Sequence, residues 1–474
     1  MQAGNCAPEA TSDHNPREGA VNIRDSIYVV GLVLIIGAAA LVWKMTASAT
    51  DGLPRYSEDN PRFRVDPSWP KPLPETISSD GVAHRWVTGE IAGTCVDAQD
   101  NVVTFNRGWE VGVKVNGVQQ GAMSGAIIRQ DAYLSSIPSP PVVVYDRDGN
   151  VVSSWGNPAL IQTGENTGGA AYLPHGAHGC FVDYQGNIWV AGNLDGVVQK
   201  YPAGGGGGVW TLQIGQKGVC DGPPDNSKIG DDRVYPTCGE AHDFNSSKTL
   251  LNQPADVAVD PLPDPATGER GNVYIADGYG NHRIVVFDAK GNYVRQFGTK
   301  CATVGSTCGP GEFGANGGGH PHCVVLGNDG MVYACDRPNS RIQVFDKLGK
   351  FVRSIPIGAP PGATPEMQKA IPLAELRACD IDFWPNVDYL AGTSTTSQRY
   401  IVDVDIGNDN SWIIERASGI IVGALGRCGL APCPGHNIGE FAFGHTVTTD
   451  SQGAVYVAET IAGRRIQKFV PTVD

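Results

Sequence analysis

Two stretches of this chain are near copies of one another, and the copying constrains the fold more than any other feature. GNVYIADGYGNHRIVVFDAKGNYVRQFG (residues 271–298) and GMVYACDRPNSRIQVFDKLGKFVRSIPI (330–357) share one plan: apolar strand, loop, strand, Gly turn, strand. Weaker copies start near Thr94, His178, Cys379 and His445, punctuated by the turns DRDGN, DYQGN, DAKGN, DKLGK and DSQGA. With 62 Gly and 33 Pro to supply tight turns, the chain reads as all-β. Short strands in units of roughly 40–60 residues are the pattern of β-propeller blades. Six blades are expected, starting near Ala92, His178, Asp256, His322, Cys379 and His445. The last copy ends at Phe469 with three strands, so a strand from residues 62–88 is expected to complete it and leave no open sheet edge. Inserts fall at 113–140, 216–252 and 260–270, and the GGGGG tract at 204–208 reads as a turn, since no helix follows it to cradle a phosphate.

Three histidines recur at one point of this unit, in HGCFVD (His178), HCVVLG (His322) and HTVTTD (His445). Fifteen positions after each comes the end of a second strand, at Asn193, Arg337 and Thr460. Aligned on blade four, that point holds Ala92, His178, Asp256, His322 and His445 in blades one, two, three, four and six. Histidines on alternate blades stand about a third of a turn apart, and the innermost strands line the channel. Three imidazoles aimed at one axial spot make a site that zinc accepts with a fourth position open. The remaining histidines share no such register. A second alignment, of NVVTFNRG, NVYIADGYG and MVYACDRP, places Arg107, Tyr279 and Arg337 together at the ends of the second strands. Arginine grips carboxylates, and a tyrosine beside cations has its phenolate favoured, so this ring fits an anionic substrate and a general base. Capping of loop carbonyls is the plainer role for such arginines, and it is the one expected of Arg283 and Arg341 in NHRI and NSRI.

The flanks address location. Ile27–Trp43 is seventeen residues without a charge, closed by Lys44, and is expected to be a single transmembrane anchor rather than a signal segment cleaved at Ala47-Ser48-Ala49. The expected division is a polar tail 1–26, the anchor 27–43, a Pro-rich linker 44–80 and the propeller 81–474 on the extracytoplasmic side. Twelve cysteines suit an oxidising compartment. Cys6 lies before the apolar segment and is set aside; close spacings pair Cys220 with Cys238, Cys301 with Cys308 and Cys428 with Cys433, and Cys95, Cys180, Cys323, Cys335 and Cys379 remain, an odd number that leaves a free buried thiol. The net charge of −14, with no basic stripe, excludes nucleic acid as a partner.

The motifs IAGTCVDAQDNVVTFNRG, YLPHGAHGCFVDYQGNIWV, QPADVAVD, DRPNSRIQVF and FGHTVTTDSQGAVYVAE, together with the 273–298 copy, resemble the peptidyl-α-hydroxyglycine α-amidating lyases, six-bladed propellers of the NHL-repeat type. The likeness spans roughly residues 88–470. It implies Zn²⁺ on His178, His322 and His445, a carboxylate-binding Arg107, a catalytic Tyr279 and an assisting Arg337. It implies a lyase that splits a peptidyl- or acyl-α-hydroxyglycine into an amide and glyoxylate. The chain departs from the family where Thr446 replaces an aspartate that helps to hold calcium, so calcium is not expected. Phe443 replaces a substrate-contacting methionine, and the two family disulfides are missing as pairs, at Asn252 with Gly280 and Tyr333 with Val344. No monooxygenase domain precedes the propeller, so a separate hydroxylating enzyme is expected to supply the substrate. Two other readings stand beside this one: a non-catalytic NHL-repeat propeller that binds a peptide or protein, and a metal-dependent lactone or ester hydrolase. Acidic ligands dominate related lactonase sites, which counts against the hydrolase.

Overall fold

The computed structural model describes residues 61–77, 81–107, 114–115, 118–119, 136–156, 173–174, 176–222, 244–301, 308–314, 320–358, 377–385 and 398–472. The apolar segment 27–43 lies outside them; among the described residues no helix is long and apolar enough to cross a membrane.

Six four-stranded antiparallel sheets form the blades of a propeller. Their innermost strands are Ile91–Val96, Ala177–Val182, Pro254–Val259, Val324–Leu326, Asp380–Trp384 and Gly444–Thr449, and the chain moves outward from each. Blade one shows the effect of its insert. The chain leaves after Val102–Asn106 and rejoins at Val142–Tyr145, and the two strands still pair directly.

The last blade closes the ring. Arg62–Val65 pairs antiparallel with Ile466–Thr472, Arg62 opposite Thr472 and Val65 opposite Phe469, so both ends of the propeller share one sheet. This places a propeller strand inside the stretch assigned to the linker, upstream of the expected boundary at 81. Its residues, RFRV, open the RFRVDPSWP segment, which reads in the sequence as a possible first strand. Ala83–Val87, the other end of the expected closing stretch, pairs instead with Glu75–Ile77 and Ser136–Pro138 in a separate small sheet.

Strands here bury both faces, each against a neighbouring blade. In Ile188–Gly192 the side chains of Ile188 and Val190 join Val103 and Phe105 of blade one, while Trp189 and Ala191 join Val257 and Ile275 of blade three. The same layering recurs at every junction around the ring. Each fully buried aliphatic side chain contributes roughly 1.5–3 kcal/mol. That burial explains the near-continuous apolar runs such as RIVVF and VYIAD.

Candidate metal centre

Four of the six innermost strands carry the same irregularity at the same place. Their pairing with the second strand slips between Ile91 and Gly93, Ala177 and Cys180, Pro254 and Asp256, and Gly444 and Thr446. A bulge leaves a residue out of the ladder and re-aims its side chain. Ala92, His178, Ala255 and His445 sit in these bulges, and His322 and Cys379 directly precede their strands. Blade three therefore presents Ala255 at this point and not Asp256, a correction of one residue. The slip arose from aligning polar residues, whereas the bulge and the aspartate five residues on (Asp260, matching Asp183 and Asp450) set the true register.

The corrected ring has a regular logic. The Nδ1 of His178 bonds the Ala255 carbonyl at 2.6 Å, that of His322 the Cys379 carbonyl at 2.5 Å, and that of His445 the Ala92 carbonyl at 3.0 Å. Every even blade thus aims its imidazole with a carbonyl of the next odd blade. A carbonyl only accepts, so Nδ1 carries the proton and Nε2 keeps its lone pair, the arrangement expected of metal-ligating histidine. The other three junctions are clasped differently: Asp256 accepts from the Val324 N–H, Asp380 accepts from the Val447 N–H, and Cys95 is bonded to Cys180 between blades one and two.

The three imidazoles converge as the sequence predicts. One ring nitrogen from each lies within 4.8 Å of the others, and all three side chains are buried. A tetrahedral zinc with Zn–N near 2.1 Å needs these nitrogens about 3.4 Å apart, which lies inside the span that they occupy here. Burial pushes each imidazole well below its ordinary pKa; His445 and Arg107 add to this at His178, Arg337 and His178 at His322, and Arg107 and Arg337 at His445. Neutral imidazoles with free Nε2 lone pairs fit a metal.

Tyr279 stands over this ring. Its hydroxyl lies 2.9 Å from His322 Nε2 and 3.3 Å from His178 Nε2, and Arg337 Nη1 donates to it at 3.4 Å. The guanidinium carbon of Arg337 is 5.4 Å from the tyrosine ring centre. Tyr279 is one residue beyond the formal match to Arg107 and Arg337, because Asp277 is the strand residue opposite Pro254, as Asn106 is opposite Ile91. The intervening Gly278 cannot carry a side chain: a Cβ there would lie 1.9 Å from the Pro321 carbonyl oxygen.

Arg107 and Arg337 are both buried. Arg107 donates from Nε to the Ala177 carbonyl at 2.8 Å and pairs through Nη1 with Glu90 at 3.3 Å. Burial works against the charge of Arg337, and the Tyr279 hydroxyl and Cys379 sulfur outweigh it and raise its pKa. Arg283 and Arg341 cap loops as expected, bonding the carbonyls of Ser247 and Leu250 and those of Cys308, Gly309 and Glu312. Phe443, two residues before His445, is 37% exposed with φ +61, a left-handed conformation unusual for so bulky a residue.

Sequence reasoning missed two residues here. Glu90 offered one signal, its place two residues before the ring position. Cys379 is the free buried thiol; its Sγ donates to the His445 carbonyl at 3.3 Å and receives Arg337 Nη1 at 3.9 Å, and burial pushes its pKa up to about 12. The pairs Cys301–Cys308 and Cys428–Cys433 form as expected, Cys323 bonds Cys335, and Cys220 is disulfide-bonded while Cys238 lies outside the described residues. The places of the two absent family disulfides are adjacent pairs in space: Tyr333 faces Val344, and a Cβ on Gly280 would meet Asn252.

The model of the NHL repeat matches residues 319–345, the heart of blade four. The chain is a six-bladed propeller with an NHL repeat matched in blade four. Peptidyl-glycine alpha-amidating monooxygenase B of Xenopus laevis is 28% identical over 271 residues, which are 56% of this chain and 24% of that protein. The propeller thus spans about a quarter of that relative's length. The probable peptidyl-alpha-hydroxyglycine alpha-amidating lyase pgal-1 of Caenorhabditis elegans is 26% identical over 68% of this chain and 73% of its own. NHL repeat-containing protein 3 of Homo sapiens is 23% identical over 70% of this chain and 73% of its own.

Proposed function

We propose that this NHL-repeat propeller is a zinc-dependent carbon–nitrogen lyase that converts a peptidyl- or acyl-α-hydroxyglycine, R–CO–NH–CH(OH)–COO⁻, to R–CO–NH₂ and glyoxylate. The observation that carries the reading is the Tyr279 hydroxyl held between two convergent imidazoles, with Arg337 donating to it. Relatives named as amidating lyases support the same chemistry. His178, His322 and His445 would hold the zinc, which would supply Lewis acidity to make the substrate's hydroxyl more acidic. Tyr279 takes the hydroxyl proton, its oxygen steadied by Arg337. Arg107 holds the substrate carboxylate beside His178 and His445, whose titration already registers its charge. As the carbonyl of glyoxylate forms, the C–N bond breaks and the departing nitrogen receives the proton that Tyr279 took from the hydroxyl, so atoms and charge balance and the tyrosine returns to its starting form. Phe443, at the end of the bulged strand, contacts the acyl portion and sets its preference.

The test pairs metal analysis with glyoxylate release from an α-hydroxyglycine peptide. Tyr279→Phe should retain stoichiometric zinc and lose about 10²–10⁴-fold in kcat. Full activity of that variant rules out the base, and a wild-type protein without zinc sinks the reading. A binding propeller with structural zinc is the second reading, favoured by the human NHL repeat-containing relative; zinc without glyoxylate selects it.

We also infer an extracytoplasmic, membrane-anchored enzyme. The uncharged segment 27–43 is long enough to span, and the disulfides of the propeller require an oxidising compartment.

A further inference from the structure

Two residues before the ring position, blade one carries a carboxylate at a point where an anion site has no obvious use for one. Glu90 is completely buried. Its carbonyl accepts the Arg107 backbone N–H at 2.8 Å, the same link that joins Gly176 to Asn193, Gln253 to Tyr279 and Phe443 to Thr460 in other blades. Only in blade one do side chains at these two points form an ion pair, Glu90 Oε2 to Arg107 Nη1 at 3.3 Å. Nε of Arg107 is occupied by the Ala177 carbonyl. Nη2 is buried and has no hydrogen-bond partner among the described residues.

A guanidinium is planar, with five N–H donors in fixed directions. Held at Nε by blade two and at Nη1 by Glu90, it cannot rotate about its own plane. The Nε edge, half of one bidentate carboxylate grip, is already spent. What remains is Nη2, the arm without a partner.

We infer that Glu90 is a positioning residue and a filter for the substrate anion. It locks Arg107 so that Nη2 meets the substrate carboxylate, and it offsets the guanidinium charge so that inorganic anions are not held by charge alone. The site then selects a carboxylate delivered at one angle by a substrate anchored elsewhere. This rests on the lyase reading of the site, in which Arg107 binds the substrate anion.

Two variants of the full-length, zinc-loaded protein separate the two roles. Glu90→Gln keeps the size and an acceptor for Nη1 but removes the charge. Its KM for an α-hydroxyglycine peptide should stay within about threefold, while inhibition by inorganic phosphate tightens about tenfold. Glu90→Ala removes the hold as well; KM should rise about tenfold or more with kcat changed far less and zinc content unchanged. Wild-type KM in the alanine variant together with wild-type phosphate inhibition in the glutamine variant overturns the inference. If the alanine variant does not fold, the phosphate inhibition of the glutamine variant decides alone. Calorimetric titration with glyoxylate reads the anion site without turnover. A wild type that binds glyoxylate but releases none from peptide defeats the lyase reading, and the two variants still test Glu90 by their glyoxylate affinity.

Discussion

Asp256 clasps blade three to blade four by accepting the Val324 N–H at 2.9 Å, and it does so buried, with the Asp380 carboxyl as a neighbour. Burial raises its pKa from 3.8 to about 7 against the pull of the Val324 and Val257 N–H groups, and Asp380 is raised further, by burial and then by Asp256. The sign of the linkage follows. A carboxyl whose folded pKa lies above its unfolded value contributes stability below the unfolded value and loses it as pH rises through the folded one. Between pH 5 and pH 8 that loss comes to roughly 2–3 kcal/mol for a folded pKa near 7 and an unfolded one near 3.9. Asp256→Asn cannot ionise and still offers an oxygen to Val324. Thermal unfolding at pH 5, 6, 7 and 8 should show the variant gaining on the wild type as pH rises, by about 2–5 °C across the range. Subtracting the two removes every other titrating group except Asp380, whose own elevation also falls once its neighbour is neutral. A gap that does not change with pH, or a wild type that gains on the variant toward pH 8, would show that the Asp256 carboxyl is ionised throughout and would refute the argument.

Gly278→Ala, which puts a Cβ on the Pro321 carbonyl oxygen, should displace Tyr279 and lower kcat about 10²-fold with zinc retained; unchanged kcat would detach the turn from the chemistry. Cys95→Ser opens the clasp between blades one and two across 85 residues and should cost about 2–5 kcal/mol in denaturant unfolding. Cys379→Ala leaves the carbonyl that orients His322 and removes the thiol that touches Arg337 and the His445 carbonyl. Zinc affinity should stay within about threefold while kcat falls, and a larger loss of zinc than of kcat would assign the thiol to the metal site instead.

The blade count and the histidine triad were legible because both are periodic: a side chain at one point of a repeat has one place to go. Arg107, Tyr279 and Arg337 were legible for the same reason, though the extra residue in the DGYG turn hid the true offset of Tyr279. The partners of the histidines were not legible at all. Ala92, Ala255 and Cys379 act through backbone carbonyls, and a carbonyl leaves no mark on residue type. Asp256 drew the alignment one place too far because a polar residue in an apolar strand looks like a functional one. The Cys95–Cys180 bond joins different blades, and spacing along the chain says nothing about that. The strand Arg62–Val65 was legible in RFRVDPSWP as a possible first strand, while its role in closing the ring was narrowed only to 62–88, because a four-residue edge strand among prolines carries no mark of its partner.

The alternation of blades explains how a six-fold scaffold holds a three-fold site. Six identical bulges around one axis would crowd six side chains into a space that four ligands fill. Here the even blades send imidazoles to the axis, and the odd blades keep small side chains there, Ala92, Ala255 and Cys379, and offer a carbonyl from the same position. Each imidazole is thereby fixed by the neighbouring blade rather than by its own, so the ring cannot be assembled until the blades are docked. The junctions without a histidine carry the heavier clasps, two buried carboxyls and a disulfide. Around the axis the contacts run His178, Asp256, His322, Asp380, His445 and then the Cys95–Cys180 bond, one for each junction. Rigidity at the histidine ring is thus a property of the closed propeller, and the two acids that supply a third of its junction contacts make that rigidity depend on protonation.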